Sequence, residues 1–265
     1  MTTPNPEYLK NQQYGDSTRL QARARLHSHY SRNPYNWYKW QFDHYVLPPD
    51  AKVLEIGAGA GWLWMNNADR IPAGWEITLS DFSPGMVAEL RENTRDIAHR
   101  FNFEEIDVQQ IPHEDQTFDS IIANHMLYHV PDRSKAIAEL RRVLKSGGKL
   151  FTATNGDHHL QELHRVMAQL NIQQEQYLGG FAGVRGYTLE NATDQLRSAF
   201  EHVELHHYDD EINIPSAQPL IDYIHSFPVE FDAAHEQQVH AIVDAEVHEK
   251  GTFKITKDMG VLIAY

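Results

Sequence analysis

The chain predicts an α/β fold, a doubly wound and mostly parallel sheet with helices on both faces. Three observations predict it. From Lys52 onward short apolar runs alternate with helical segments, the pattern of repeated βαβ units. One of those runs passes directly into three glycines at alternate positions, Gly57, Gly59 and Gly61. Acidic residues then stand where successive strands end, the edge at which open α/β sheets bind ligands.

The strand candidates are 52–56 (KVLEI), 76–80 (EITLS), 102–106 (NFEEI), 118–123 (FDSIIA) and 149–154 (KLFTAT). Between the last two, Ala136, Ile137, Leu140, Val143 and Leu144 recur at helical spacing. Asp132 or Ser134 can cap that helix, and Gly147-Gly148 is the expected stop. Beyond residue 156 the alternation lapses into HHLQELHRVMAQL and a glycine-rich loop, YLGGFAGVRGY, mobile by composition. A helix over 189–199, a strand near 202–208 and a helical region over 217–249 follow. The closing TFKITKDMGVLIAY reads as a strand with a turn or bulge at Lys257-Asp258.

Ahead of this pattern, residues 1–48 read as a helical and aromatic cap. STRLQARARLHSHY favours helix, and an aromatic cluster running from Tyr35 to Tyr45 ends at Pro48-Pro49. The main domain then occupies residues 49–265, with helical or loop insertions at about 157–188 and 215–250.

With 37 acidic against 23 basic side chains, the formal charge is −14, so a phosphate backbone meets a repulsive field and nucleic acid is not an expected partner. No window approaches the run of apolar residues that spans a membrane, and the N-terminus lacks the pattern of a secretory leader. The chain has no cysteine, hence no disulfide, thiolate zinc site or cysteine nucleophile, which fits a cytoplasmic protein.

The chemistry is carried by Val53-Leu54-Glu55-Ile56-Gly57-Ala58-Gly59-Ala60-Gly61. Glycine lets the chain turn tightly and lets a ligand touch backbone. A nicotinamide dinucleotide site needs a third small residue where this chain has Trp62. Glu55, two residues before the first glycine, would repel a pyrophosphate and attract a cation. A methionyl zwitterion beside a sulfonium suits such a pocket. Asp81 can accept from two ribose hydroxyls, with Phe82 and Met86 placed to sandwich a flat base, and Asp107 can accept from an exocyclic amino group. Each acid taken alone reads equally well as a helix cap or turn residue.

These residues resemble the class I S-adenosylmethionine-dependent methyltransferases of the UbiE-like, type 11 group. The resemblance is close over about 50–155 and extends in outline to the last strand. In that family E-x-G-x-G-x-G holds the methionine part of the cofactor, matching Glu55, Gly57, Ala58, Gly59 and Gly61; the ribose acid matches Asp81. The adenine segment matches Ile106-Asp107-Val108, with isoleucine where the family has glycine. The segment after the fourth strand matches Ala123-Asn124-His125-Met126-Leu127-Tyr128-His129-Val130-Pro131-Asp132, and a later turn matches Leu144-Lys145-Ser146-Gly147-Gly148. The resemblance implies a Rossmann-like sheet of seven strands whose last strand is antiparallel and inserted between its neighbours. It implies S-adenosylmethionine as cofactor and S-adenosylhomocysteine as product. The N-terminal cap would close over that cofactor, with Tyr14 a contact and Arg19 or Arg23 available for its carboxylate.

Transfer from a sulfonium is an in-line displacement in which the protein chiefly aligns the reactants, and no metal is needed. His125, Tyr128 and His129 stand where relatives face their substrate, so they are the catalytic candidates; His125 and Asn124 double as cofactor contacts. Equally, these histidines can serve only to shape the pocket. Asn124-His125-Met126-Leu127 replaces the Asn/Asp-Pro-Pro-Tyr/Phe motif of enzymes that methylate flipped bases or glutamine, which argues against such amide or base nitrogen chemistry; a small-molecule acceptor is expected. Tyr30, Trp37, Trp40, Phe181 and Tyr187 suit a flat acceptor and equally suit a core. Two other readings stand beside transfer: a non-catalytic module that binds the cofactor, and, more weakly, a nicotinamide-dependent oxidoreductase. The cap can close its own site or that of a second copy in a homo-oligomer.

Overall fold

The computed structural model describes residues 18–177 and 186–265, and of residues 18–22 and of Glu175 the backbone alone. Tyr14 and Phe181 lie outside the described residues. A seven-stranded sheet runs in the order β3-β2-β1-β4-β5-β7-β6. The strands are β1 (Lys52–Ile56), β2 (Glu76–Asp81), β3 (Phe101–Glu105), β4 (Phe118–Ile122), β5 (Leu144–Asn155), β6 (Val203–Ile214) and β7 (Phe253–Ala264). The first five pair in parallel, and β7 is antiparallel to both β5 and β6. That is the inserted last strand the resemblance implied.

Both faces of the sheet are covered, and the strand period of two divides the side chains between them. Leu54, Ile56, Ile121 and Leu150 point to one core, packed with α5 (Arg133–Val143) and α8 (Leu189–Leu196). Val53, Ile77, Leu79 and Phe151 point to the other, with Phe42, Tyr45, Trp64 and Trp75. Leu54 is fully buried, so truncation to alanine there costs about 2–5 kcal/mol.

Several elements depart from the sequence expectation. α5 is capped by Asp132, whose Oδ1 accepts from the Lys135 N–H at 3.0 Å. It ends at Val143 rather than at Gly147-Gly148, because β5 has already begun pairing at Leu144. The glycines instead form an irregularity inside β5, where a Cβ on Gly148 would come within 2.9 Å of the Asp119 carbonyl. β6 reaches Ile214, well past residue 208, since Ile212 and Ile214 continue the buried alternation through an acidic stretch. Lys257-Asp258 is neither turn nor bulge: β7 stays in register with β6 throughout, Asp210 facing Lys257.

The pairing of β5 with β7 stops at Asn155 and Met259, so the far ends of β6 and β7 project beyond the sheet as a two-stranded ribbon. A third core forms on that ribbon. Ile212, Ile214, Phe253 and Ile255 are covered by α1 (Thr18–His29), α6 (Gln161–Gln169), α7 (Gln174–Tyr177), α9 (Gln218–Ile224) and α10 (Ala233–Lys250). The N-terminal helix and both insertions therefore share one hydrophobic cluster. α2 (Trp37–Asp43), capped by Asn36, packs instead beside β1. Among the described residues no helix is long and apolar enough to cross a membrane.

Candidate active site

At the end of β1 the chain turns through Gly57 and Gly59, both left-handed at φ +70° and +55°. A backbone bond from Ala58 N–H to the Ser80 carbonyl at 2.8 Å ties the turn to β2. A Cβ on Gly59 would meet nothing, so backbone conformation rather than crowding calls for glycine there. Gly61 has another role. It lies outside the cavity wall, and a Cβ on it would come within 2.7 Å of Leu90 in α4 (Pro84–Asn93). Its bareness lets that helix close on the turn.

The turn borders a cavity of about 440 Å³, the size range of small-molecule and cofactor pockets. Glu55, Gly57, Ala58 and Gly59 line its floor; Asp81, Phe82 and Met86 stand on one side, and Asp107 and Val108 beyond them. Asn124, His125, Tyr128 and His129 form the opposite wall.

Glu55 is buried and its carboxylate accepts from Trp64 Nε1 at 2.5 Å. Burial pushes its pKa up to about 7, against the Trp64 hydrogen bond, and the neighbouring Asp81 charge adds to the rise. A buried acid held near neutrality without a counter-cation favours a positively charged ligand. Asp81 accepts from Gly59 N–H at 3.1 Å and from Ser83 N–H at 3.0 Å. Burial raises its pKa, while those backbone bonds work in the opposite direction. Asp107 accepts from Gln109 N–H at 2.9 Å, an Asx turn that holds the carboxylate at the rim.

Bordering this cavity, the donor Gln41 Nε2 and the acceptor Asn124 Oδ1 are buried without a hydrogen-bond partner among the described residues. Asn124 spends its other end donating to the Tyr45 hydroxyl at 3.0 Å. Orphaned polar atoms cost about 1–3 kcal/mol each, a cost a ligand recovers. A pocket with a spare donor, a spare acceptor and a buried acid is matched to an amino-acid zwitterion. Gln41 and Tyr38, both from α2, were not legible as site residues, because nothing in WYKWQFD says which helical face meets the turn.

No arginine or lysine lines this cavity among the described residues. Arg23, expected near the cofactor carboxylate, lies elsewhere: it borders a second, wider cavity of about 940 Å³. Arg19 sits in the first turns of α1. Tyr38, Trp62, His125, Tyr128 and His129 line both cavities and so form the partition between them. Trp62 opens the short helix α3 (Trp62–Met65) in the position where a dinucleotide fold needs a small residue.

On that partition His125 adopts φ +53°, held by its N–H donating to the Ala153 carbonyl at 2.8 Å. Burial lowers its pKa to about 4, and burial with the nearby His125 lowers that of His129 to about 3. Both imidazoles are neutral at pH 7 and weakly basic. Burial raises the Tyr128 hydroxyl, which stays protonated. Trp37 lines the wider cavity, stacked on Trp40 at 5.4 Å, whereas Tyr187 is core, its hydroxyl beside Thr152. Tyr30 packs against the third core.

A family model described as a methyltransferase domain matches residues 54–152. The ubiquinone/menaquinone biosynthesis C-methyltransferase UbiE of Idiomarina loihiensis is 28% identical over 172 residues, covering 64% of this chain and 66% of the relative. Its counterpart in Geobacter sp. strain M21 is 31% identical over 116 residues, covering 43% and 49%. The chain thus spans about half to two thirds of the length of these relatives. Among solved structures, the [4+2]-cyclase SpnF superposes with a TM-score of 0.59 at 21% identity, over 100% of this chain and 96% of that one. A Haemonchus contortus phosphoethanolamine N-methyltransferase 2 in complex with S-adenosyl-L-methionine superposes at 0.58 and 16% identity, over 98% and 59%. At these identities the structural likeness speaks for the fold.

Proposed function

We propose that this chain, a member of the class I S-adenosylmethionine-dependent methyltransferases of the UbiE-like, type 11 group, transfers a methyl group to a small molecule held in the wider cavity. One observation carries the reading: a cavity that gathers the strand-end acids Glu55, Asp81 and Asp107 shares a partition with a larger cavity that none of those three acids lines.

Bound S-adenosylmethionine supplies a methyl group already activated on a sulfonium sulfur. Glu55 and Asn124 Oδ1 would meet its ammonium group, Gln41 Nε2 its carboxylate, Asp81 the ribose hydroxyls, and Asp107 with Val108 the adenine. The five partition residues orient the acceptor toward the reacting centre and keep water out. Protein bases contribute little: a histidine whose conjugate acid has a pKa of about 4 draws a proton weakly. His125, His129 and Tyr128 act by position, as hydrogen-bond partners of the acceptor's nucleophilic end.

The curated relatives named above are C-methyltransferases and one structural neighbour is an N-methyltransferase. A neighbour titled a cyclase makes a non-transferring use of the same fold a real second reading. Incubation with methyl-labelled S-adenosylmethionine and fractionated metabolite extracts separates them. Transfer yields a labelled small molecule and S-adenosylhomocysteine. Tight binding of both adenosyl compounds with no transfer across extracts would favour the second reading. No stabilisation by either compound at millimolar concentration, with stabilisation by NAD, would sink both.

A further inference from the structure

The wider cavity carries a charge that no acid among the described residues answers. Arg23, from α1, donates through Nε to the Ser226 hydroxyl at 3.2 Å and through Nη2 to the Ser226 carbonyl at 3.4 Å. Its guanidinium lies over the Phe227 ring at 4.6 Å. All three contacts are with neutral groups. They fix the plane of the guanidinium without cancelling its charge, and among the described residues no carboxylate pairs with it.

Two phenols share its neighbourhood. In Tyr128 and Tyr223 burial raises the pKa, and the Arg23 charge draws both down, which places the guanidinium within electrostatic reach of each. Both hydroxyls stay protonated at neutral pH and serve as donors. A third neutral donor borders the same space: His159 accepts from the Asp258 N–H through Nδ1 at 3.2 Å, so its proton sits on Nε2.

The carboxylates nearby do not answer Arg23. Asp210 is fully buried in an ion pair with Lys257 and takes further hydrogen bonds from the Ser31 hydroxyl and Asn33 N–H. Asp157 and Glu190 line the same cavity but are exposed at its outer edge, where Glu190 accepts from the Asp157 N–H. A cation, two phenols and an imidazole N–H line one cavity, in which no interior carboxylate is free among the described residues. That set complements an anion, and a guanidinium presented edge-on binds a carboxylate or phosphate through two parallel hydrogen bonds.

We propose that the methyl acceptor is a small molecule bearing a compact anionic group, a carboxylate or phosphate monoester, held by Arg23 with the hydroxyls of Tyr128 and Tyr223. The assignment rests on the methyltransferase reading. Tyr128 belongs both to this anion site and to the partition, so the anionic end and the nucleophilic end are bridged by one short molecule.

The test uses the full chain saturated with S-adenosylhomocysteine and three probes: 4-hydroxybenzoate, phenyl phosphate and the neutral 4-hydroxybenzamide. Calorimetry or ligand-observed NMR should show one anion bound at least about tenfold more tightly than the amide, and Arg23→Met should remove that preference. The better anion identifies carboxylate or phosphate as the natural group. Arg23→Lys should retain part of the preference. S-adenosylhomocysteine affinity should be equal in all variants, which also shows that they fold. Equal binding of amide and anions, an anion preference that survives Arg23→Met, or no binding of either anion at tens of millimolar overturns the proposal. Failure of S-adenosylhomocysteine to bind wild type would instead overturn the methyltransferase reading.

Discussion

Trp64 donates its indole N–H to the buried carboxylate of Glu55 across the glycine turn. This bond holds the acid in place without neutralising it. Burial leaves the Glu55 pKa near 7, above its ordinary 4.5. A raised carboxyl pKa means that the fold binds the proton more tightly than the unfolded chain does. Its stabilising contribution is complete below about pH 4.5 and is lost as the pH rises through 7.

A cationic ligand reverses that balance. S-adenosylmethionine binding at pH 6 to 7 should release protons and tighten as the pH rises through 7, which calorimetry in buffers of differing ionisation enthalpy will show. Glu55→Gln should abolish the release, weaken binding about tenfold or more, and make the ligand-free protein more stable at pH 8.

Asp81→Ala should weaken both adenosyl compounds by roughly tenfold to a hundredfold, because hydrogen bonds to a charged group are worth about 1.5–3 kcal/mol. Equal affinity in the variant would remove the ribose assignment. Asp81→Asn, which keeps one acceptor, should lose less.

Gln41→Leu should lower S-adenosylhomocysteine affinity while leaving 5′-methylthioadenosine, which lacks the amino-acid portion, unaffected. The variant removes a buried donor that has no partner among the described residues, so its stability should rise or hold. Parallel loss for both compounds would show instead that α2 had shifted.

Burial, with the Lys257 charge adding to it, lowers His27 to about 3, and burial keeps His125 and His129 at about 4 and 3. Their depressed values mean that the unfolded chain takes protons first, so stability falls as the pH drops below 6.5. Each contributes at most about 1.4 kcal/mol per pH unit. Chemical denaturation should show a steep loss between pH 6 and 4. Turnover should be flat from pH 6 to 8 unless the acceptor itself titrates; a rise with a midpoint near 6.5 would restore one histidine as a base of ordinary strength.

Asp210→Asn leaves Lys257 charged and unpaired in the interior, and also weakens the anchor on Ser31 and Asn33 that joins the two cap helices to β6. The expected cost is about 3–5 kcal/mol. Denaturation measures it, and limited proteolysis should find the segment between α1 and α2 newly susceptible.

Much of the sheet and of the narrower cavity's floor was legible in local pattern. The run from Val53 to Gly61 needs a strand, then left-handed backbone, and the acids after β2 and β3 fall at strand ends because parallel strands terminate on the same edge. Other features were not legible. The stop of α5 was misplaced because a glycine pair resembles a helix terminus, although pairing of Leu144 with Phe118 had already taken over. Lys257-Asp258 looked like a turn because two charges in a strand normally face water; here one of them is buried against Asp210.

Local order along the chain, then, determined the strand and glycine register and with it the place of Glu55, Asp81 and Asp107, since those depend on neighbours a few residues away. Tertiary structure alone decided which distant segments meet: α1, α6, α9 and α10 on the projecting ribbon, Gln41 against the glycine turn, and Arg23 above Phe227 rather than beside the floor of the narrower cavity. The physical reason is that backbone propensity and hydrophobic period act over one or two turns, whereas the cavities are bounded by surfaces brought together only when three separate cores close.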